Sequence, residues 1–295
     1  MRHQNKQFIY KAPAPPAARA AYSRHRRVRR ARRLAVRLGL FAVGLCAITA
    51  LAGALNALVR PPVQAAGSEP PAVFEPGLPA ASEPAGPLVV AVDAGHGGED
   101  TGAIGLVEEW QMTESTARAL IALLEQDERF APVLCRDWWD KSTPTGRAEE
   151  AARQGAQLLI SIHGNSWEGK QDVQGFECYP VTPGMPYHQE SLRFAQLVAQ
   201  EMQQAGAKLR GETGVRYIYF NEKDERVIHE ESDSTPTGMP TFSIVEKAGC
   251  AALLVEQCFV TSAGDVDKFG DEDGCQLAAQ CYYRAICAWA EEQGY

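Results

Sequence analysis

Cysteine motifs, nucleotide-binding motifs and internal repeats are all missing from this sequence of 295 residues. No Cys-x-x-Cys pair occurs among its eight cysteines, so the sequence does not predict a cysteine-ligated zinc site. Its GHGG segment has neither the G-x-G-x-x-G spacing nor the lysine of a Walker motif, which argues against a phosphate cradle. A disulfide within the set Cys135, Cys178, Cys250 and Cys258 stays open, because the spacing does not select a pair.

Acidic residues are absent from residues 1–37, which hold twelve Arg or Lys residues. All 37 acids of the chain therefore lie beyond residue 37, together with only 17 bases. This asymmetry indicates that the two parts of the chain face different surroundings. The acidic part does not predict nucleic acid as a partner, and the basic run abuts an apolar span, which favours a membrane over nucleic acid there as well.

Charged residues are also absent from residues 38–59, a run of 22 residues. At about 1.5 Å per residue this length spans a hydrocarbon core of roughly 30 Å. The preceding arginines predict a basic cytoplasmic tail over 1–37 and a single-pass transmembrane anchor over 38–59, with the rest of the chain outside the cytoplasm. VQAAGS at 63–68 is similar to a cleavage site, so processing to a secreted form stays open.

Residues 60–87 are rich in proline and alanine, and eight prolines lie between positions 61 and 87. Such a segment has too little apolar matter for a core and predicts a semi-rigid linker. One folded domain remains over 88–295, which is long enough to bury a substantial core.

Short apolar runs alternate with amphipathic helical patterns throughout 88–295. This alternation predicts an α/β fold with a mostly parallel, twisted sheet flanked by helices on both faces. The predicted strands are LVVAVD (88–93), APVLCR (131–136), QLLISIH (157–163), QGFECYP (174–180) and AALLVEQCF (251–259).

Three groups able to bind a metal or move a proton lie at or near the ends of three predicted strands. His96 follows the first strand, His163 ends another, and Glu256 lies near the end of a third. Since chemistry in open α/β sheets collects beyond the carboxyl ends of the strands, we expect the three to lie close together. A glutamate inside an apolar strand also needs a partner, because carboxylates are rarely buried unpaired.

Two imidazoles and a carboxylate are typical of catalytic zinc, which keeps a further position for water. Spacing alone leaves four candidates for the carboxylate. Asp93 is a candidate for orienting the loop or a ligand. The four candidate carboxylates are Glu99, Asp100, Glu108 and Glu109.

The motifs taken together resemble the zinc-dependent N-acetylmuramoyl-L-alanine amidases of the amidase type 3 family. DAGHGG, GLVEE, SIHGNS and LLVEQCF occur in the family's order, and the likeness covers nearly all of residues 88–295. The resemblance implies zinc held by His96, Glu108 and His163, with Glu256 as the catalytic base. It also points to Asp93, Asn165 and Arg147 as residues that support the site or contact substrate.

The resemblance further implies that the substrate is peptidoglycan and that the bond cut joins N-acetylmuramic acid to L-alanine. We expect the catalytic domain to be a monomer. Two alternatives stay open at this point. The domain could be a catalytically silent wall-binding module or activator on the same fold, or a zinc hydrolase that cuts a different peptidoglycan bond.

The chain departs from the family pattern most between Arg210-Gly211 and TFSIV (241–245). It has 29 residues there, where members of the family usually have only a few. The plainest interpretation is a solvated surface loop. A second hypothesis, taken from regulated members of the family, is a lid over the zinc in which His229, Glu230 or Glu231 approaches the ion.

Overall fold

The computed structural model describes residues 86–169 and 172–295. Their main feature is a five-stranded sheet made of β1 (Leu88–Ala94), β2 (Phe130–Leu134), β3 (Leu158–Asn165), β4 (Glu177–Pro180) and β7 (Ala251–Phe259). The strand order is β2-β1-β3-β7-β4. The first four strands in this order are parallel, and β4 pairs antiparallel with β7 at one edge.

Helices connect the strands. The long ones are α1 (Glu109–Leu124), α2 (Pro144–Arg153), α3 (His188–Gln204) and α6 (Glu272–Gln293), and the short ones are α4 (Ser243–Glu246) and α5 (Ala263–Asp265), with a π-helical turn at Val266–Gly270. Asp271 caps α6 by accepting a hydrogen bond from the backbone of Gly274, and Gly294 ends this helix in the left-handed conformation, as expected for a C-terminal stop.

Both faces of the sheet are covered, because alternate residues of each strand point to opposite sides. On one face Val90, Val92 and Ile160 join a core with α1, α3 and α6. On the other, Ala91, Leu159 and their neighbours form a second core with α2 and α4. Full burial of an aliphatic side chain contributes roughly 1.5–3 kcal/mol, so both layers stabilise the sheet. The α/β architecture predicted from the sequence is confirmed.

The segment 212–240 is not the solvated loop that the sequence suggested. It contains two further strands, β5 (Arg216–Phe220) and β6 (Arg226–Glu230), which form an antiparallel hairpin. Tyr217, Ile218 and Tyr219 are at most 1% exposed, and Ile218 packs within the core under the sheet. The prediction of a loop was wrong because the segment is polar overall, while strand β5 within it buries three neighbouring apolar or aromatic side chains.

The predicted tail at 1–37, the membrane anchor at 38–59 and all but the last two residues of the linker at 60–87 lie outside the described residues. Among the residues that are described, no helix has the length and apolar character needed to cross a membrane. The cysteines of the described part are all free thiols, and the four candidates for a disulfide are each buried without a bond.

Candidate metal centre

His96, Glu109 and His163 come together beyond the carboxyl ends of β1 and β3. The Glu109 Oε1 atom lies 3.1 Å from His96 Nε2 and 3.1 Å from His163 Nδ1. One donor atom from each of the three residues falls within 4.8 Å of the others. The two imidazole rings meet edge to face with centroids 4.9 Å apart. The prediction that His96 and His163 share one site is therefore consistent with the structure.

The choice of Glu108 as the third ligand is corrected by the structure, which places Glu109 between the histidines. Glu108 has extended backbone angles as the N-cap of α1, and its Oε2 accepts a hydrogen bond from Trp110 Nε1 at 3.0 Å. Glu109 is the first helical residue and is 4% exposed. The side chains of adjacent residues at the start of a helix point in different directions. A motif aligned one position too early therefore selects the wrong carboxylate.

The glycines of the loop after β1 make room for the imidazoles. A β-carbon on Gly95 would lie only 2.4 Å from the His163 ring, and one on Gly102 would lie 2.6 Å from the His96 ring. His96 itself has a φ of 62°, a left-handed conformation that costs free energy for a residue with a side chain. Such local strain is typical of functional loops.

Two charged side chains fix His96 in this loop. Asp100 Oδ2 lies 3.0 Å from His96 Nδ1, which leaves Nε2 directed at the cluster. Arg136 donates from Nη2 to the carbonyls of Ala94, at 3.0 Å, and of His96. A carboxylate that holds the second nitrogen of a histidine is the usual support of a metal-binding imidazole. Neither Asp100 nor Arg136 was assigned this role from sequence.

The charges of the cluster reinforce one another. Burial by itself would lower the pKa of His96, but the negative charges of Glu109 and Asp100 outweigh it and raise the pKa to about 10. Burial would raise the pKa of Glu109, yet His96 and His163 hold it well below its usual value. Burial lowers the pKa of His163, and Glu109 opposes this. The anionic form of Glu109 is thus favoured by positive charge at this point.

Asp93 and Arg147 form a buried ion pair beneath the loop that follows β1, and neither is exposed at the surface of that loop. Both are buried, and Arg147 Nε lies 2.8 Å from Asp93 Oδ1. Ser161 on β3 donates to the other carboxylate oxygen at 2.7 Å. The sequence placed Asp93 and Arg147 near the site without distinguishing support from substrate contact, and their burial favours support.

Glu256 occupies the neighbouring strand at the level of the cluster, because it is the register partner of His163 in the β3–β7 pair. The side chain is partly buried, and its Oε2 atom has no hydrogen-bond partner among the described residues. Burial, and then the negative charges of Glu109 and Glu177, raise the pKa of Glu256 well above its usual value. A carboxyl with a raised pKa beside a candidate metal site is suited to accepting and returning a proton.

Glu177 is a buried member of the site that sequence reasoning did not assign. It is the register partner of Glu256 across β4 and β7. Asn165, which was predicted to support the site or contact substrate, donates to Glu177 Oε1 at 2.6 Å. The GFECYP strand marked the position of Glu177, but nothing in its pattern indicated what the carboxylate binds.

The three residues proposed for a lid bind elsewhere in the structure. His229 Nδ1 lies 2.9 Å from Asp233, and Glu230 pairs with Arg216 at 2.8 Å. Glu231 accepts a hydrogen bond from Gln196 at 3.5 Å. None of them belongs to the cluster of donors found among the described residues. The hypothesis that they approach the ion is corrected, because the hairpin packs on the sheet through its own contacts.

The donors present fit a zinc ion. Two imidazole nitrogens and one carboxylate oxygen are a combination used by catalytic zinc. His96 is held through its other nitrogen by Asp100, and the buried carboxylate of Glu109 carries the negative charge that a divalent cation requires.

Comparison with known proteins shows the family of this chain. The family model described as N-acetylmuramoyl-L-alanine amidase matches residues 90–288. A relative in Bacillus subtilis, the uncharacterized protein YqiI, is 28% identical over 213 residues, which are 72% of this chain and 89% of that protein. Four further relatives match over shorter segments, and the matched part is only 20 to 40% of their own length.

Solved structures share the fold. The N-acetylmuramoyl-L-alanine amidase AmiC2 of Nostoc punctiforme superposes with a TM-score of 0.55 at 26% identity, over 69% of this chain and 97% of that one. An N-acetylmuramoyl-L-alanine amidase from Clostridium difficile gives a TM-score of 0.58 over 71% of this chain and 100% of that one, and its 20% identity supports the fold alone. Since the family model spans more than half of the sequence, this chain belongs to the N-acetylmuramoyl-L-alanine amidase family.

Proposed function

We propose that this protein hydrolyses the amide bond between N-acetylmuramic acid and L-alanine in peptidoglycan. The observation that carries the proposal is the cluster of His96, Glu109 and His163 with Glu256 beside it on the next strand. Membership of the amidase family supports the substrate and the bond.

The residues of the site divide the reaction between them. His96, Glu109 and His163 would hold zinc, which when bound lowers the pKa of a nearby water and polarises the scissile carbonyl. Glu256 takes the proton of the attacking water and then returns it to the departing amine of L-alanine. Its raised pKa strengthens it as a base and so favours the first of these steps, and acid–base help of this kind typically contributes ~10²–10⁴-fold in rate.

The two alternatives are less well supported. A silent wall-binding module has no need of a buried carboxylate between two imidazoles together with a proton acceptor on the adjacent strand. A zinc hydrolase acting on a peptide cross-link would use the same residues, but the family to which the chain belongs is that of the muramoyl amidases.

Digestion of purified peptidoglycan tests the proposal. We expect the purified protein to release stem peptides that begin with a free L-alanine amino group, identified by mass analysis after separation from the glycan. A chelator should stop the release, and added zinc should restore it, because the proposed donors need the ion for catalysis. Cut cross-links with intact muramoyl amides would indicate the other hydrolase, and binding to the wall without any release would indicate the silent module.

We also propose that residues 38–59 anchor the protein in the membrane with 1–37 in the cytoplasm. The uncharged run and the arginines before it support this arrangement. The proline-rich residues 60–87 would then act as a spacer between the bilayer and the catalytic domain, and would place that domain in the region of the cell wall.

A further inference from the structure

Arg216 of the hairpin β5–β6 contacts a buried carboxylate beside the site, Glu177. The Arg216 side chain is 17% exposed and lies between two carboxylates. The Nη1 atom donates to Glu177 Oε2 at 2.9 Å, while Nε donates to Glu230 Oε1 at 3.0 Å and Nη2 lies 2.8 Å from the same oxygen. Arg216 therefore joins strand β4 of the main sheet to strand β6 of the hairpin.

The carboxylate that Arg216 holds is buried and shared. Glu177 is 3% exposed, and a carboxylate at that depth needs partners for its charge. Its Oε1 accepts from Asn165 at 2.6 Å and lies 3.0 Å from Arg210 Nε, while Oε2 accepts from Arg216. Charge-assisted contacts of this kind are short and fix geometry strongly.

Glu177 in turn touches the parts of the sheet that carry the chemistry. It is the register partner of Glu256, and it binds Asn165, which lies two residues after His163 at the end of β3. The pairing of β3 with β7 shifts register between His163 and Asn165. A bulge of this type leaves a residue unpaired in the ladder and re-aims a side chain.

We infer that Arg216 is a positioning residue of the metal centre, supplied by the hairpin. It holds Glu177, and through Glu177 and Asn165 it fixes the end of β3 that presents His163 and the strand pair that presents Glu256. The inference rests on the proposed function for the identity of the reaction, but it also concerns zinc binding by the protein itself.

Four variants of the full chain separate positioning from plain stability. Arg216→Ala removes the bridge. Arg216→Lys keeps the charge, but a point-like ammonium lacks the planar fork that serves Glu177 and Glu230 together. Ile218→Val, with Ile218→Ala as its stronger form, loosens the packing of the same hairpin without touching the bridge.

Each variant is measured for zinc affinity by competition with a chromophoric chelator, for kcat and KM on peptidoglycan at saturating zinc, and for melting temperature. We expect Arg216→Ala to weaken zinc binding and lower kcat, each by ~10–100-fold, the usual effect of losing a group that orients metal ligands, with KM unchanged. Arg216→Lys should recover part of both losses. The Ile218 variants should lower the melting temperature while zinc affinity and kcat stay at wild-type values.

Wild-type zinc affinity and kcat in both Arg216 variants would overturn the inference. The inference would also be overturned if an Ile218 variant with the same melting temperature as an Arg216 variant lost as much zinc affinity and kcat. Weaker packing of the hairpin on the sheet would then explain the losses in both variants. If Arg216→Ala does not fold, Arg216→Lys decides by the same two readouts. Zinc affinity does not depend on turnover, so a wild-type protein that binds zinc but cuts no muramoyl amide would refute the proposed function and leave the positioning role to be judged by affinity.

Discussion

Replacing Glu256 with glutamine should abolish nearly all hydrolysis and leave zinc binding intact. Glutamine has the shape of glutamate but cannot accept the proton of the attacking water, so the rate should fall by ~10²–10⁴-fold, the typical contribution of acid–base catalysis. Because Glu256 is not one of the three clustered donors, the zinc content of the purified variant should match that of the wild type. Release of stem peptides and metal analysis of the same sample give both values.

The same variant should raise the melting temperature of the metal-free protein at neutral pH. Folding raises the pKa of Glu256 through burial and through repulsion from Glu109 and Glu177, so ionised Glu256 destabilises the fold. This cost is absent below the unfolded pKa and appears as the pH rises above it, and a neutral glutamine removes it.

Glu246→Gln is a matched control, because Glu246 lies on the short helix α4 outside the cluster. Its rate of hydrolysis should equal that of the wild type. Wild-type turnover in the Glu256 variant would remove this residue from the mechanism. Loss of zinc from that variant would instead show that Glu256 acts as a ligand.

Substitution of Glu109 should weaken zinc binding and stop hydrolysis, whereas substitution of its neighbour Glu108 should affect neither. Glu109→Gln removes the anionic donor between the histidines, so zinc affinity should fall by more than the roughly 100-fold that loss of an orienting group can cause, and hydrolysis should stop with it. Glu108→Gln should change neither, since its carboxylate binds the Trp110 ring nitrogen instead. Equilibrium dialysis against buffered zinc measures both variants under the same conditions.

Glu108→Gln controls for the charge change, because it removes one negative charge from the next position in the chain. The reverse pattern, with zinc lost from the Glu108 variant and kept by the Glu109 variant, would restore the ligand chosen from the motif. Equal retention in both would mean that the carboxylate contributes little to holding the ion.

The strands of the sheet were predictable because each is a short apolar run bounded by turns, and AALLVEQCF was predicted with the same bounds that the structure gives to β7. The convergence of His96, His163 and Glu256 followed from the rule that parallel strands share one functional edge. The expected parallel topology of the sheet thus allowed residues from separate motifs to be predicted in one site.

The rest depended on directions that periodicity does not encode. Whether Glu108 or Glu109 faces the histidines is decided by where α1 begins, and two adjacent acids look alike in a motif. The contacts of Glu177 with Arg216 and Asn165 join residues from three strands, and no local pattern announces them. The hairpin was missed because turn-forming and charged residues surround the buried Tyr217, Ile218 and Tyr219.

Anomalous diffraction at the zinc absorption edge, on crystals of the zinc-loaded protein, would show whether His96, Glu109 and His163 hold one zinc ion. We expect one strong anomalous peak within ligand distance of His96 Nε2, the Glu109 carboxylate and a ring nitrogen of His163, at about 2.0–2.2 Å from each. A peak bound by Glu108, or zinc found only at other residues, would refute this assignment of the ligands.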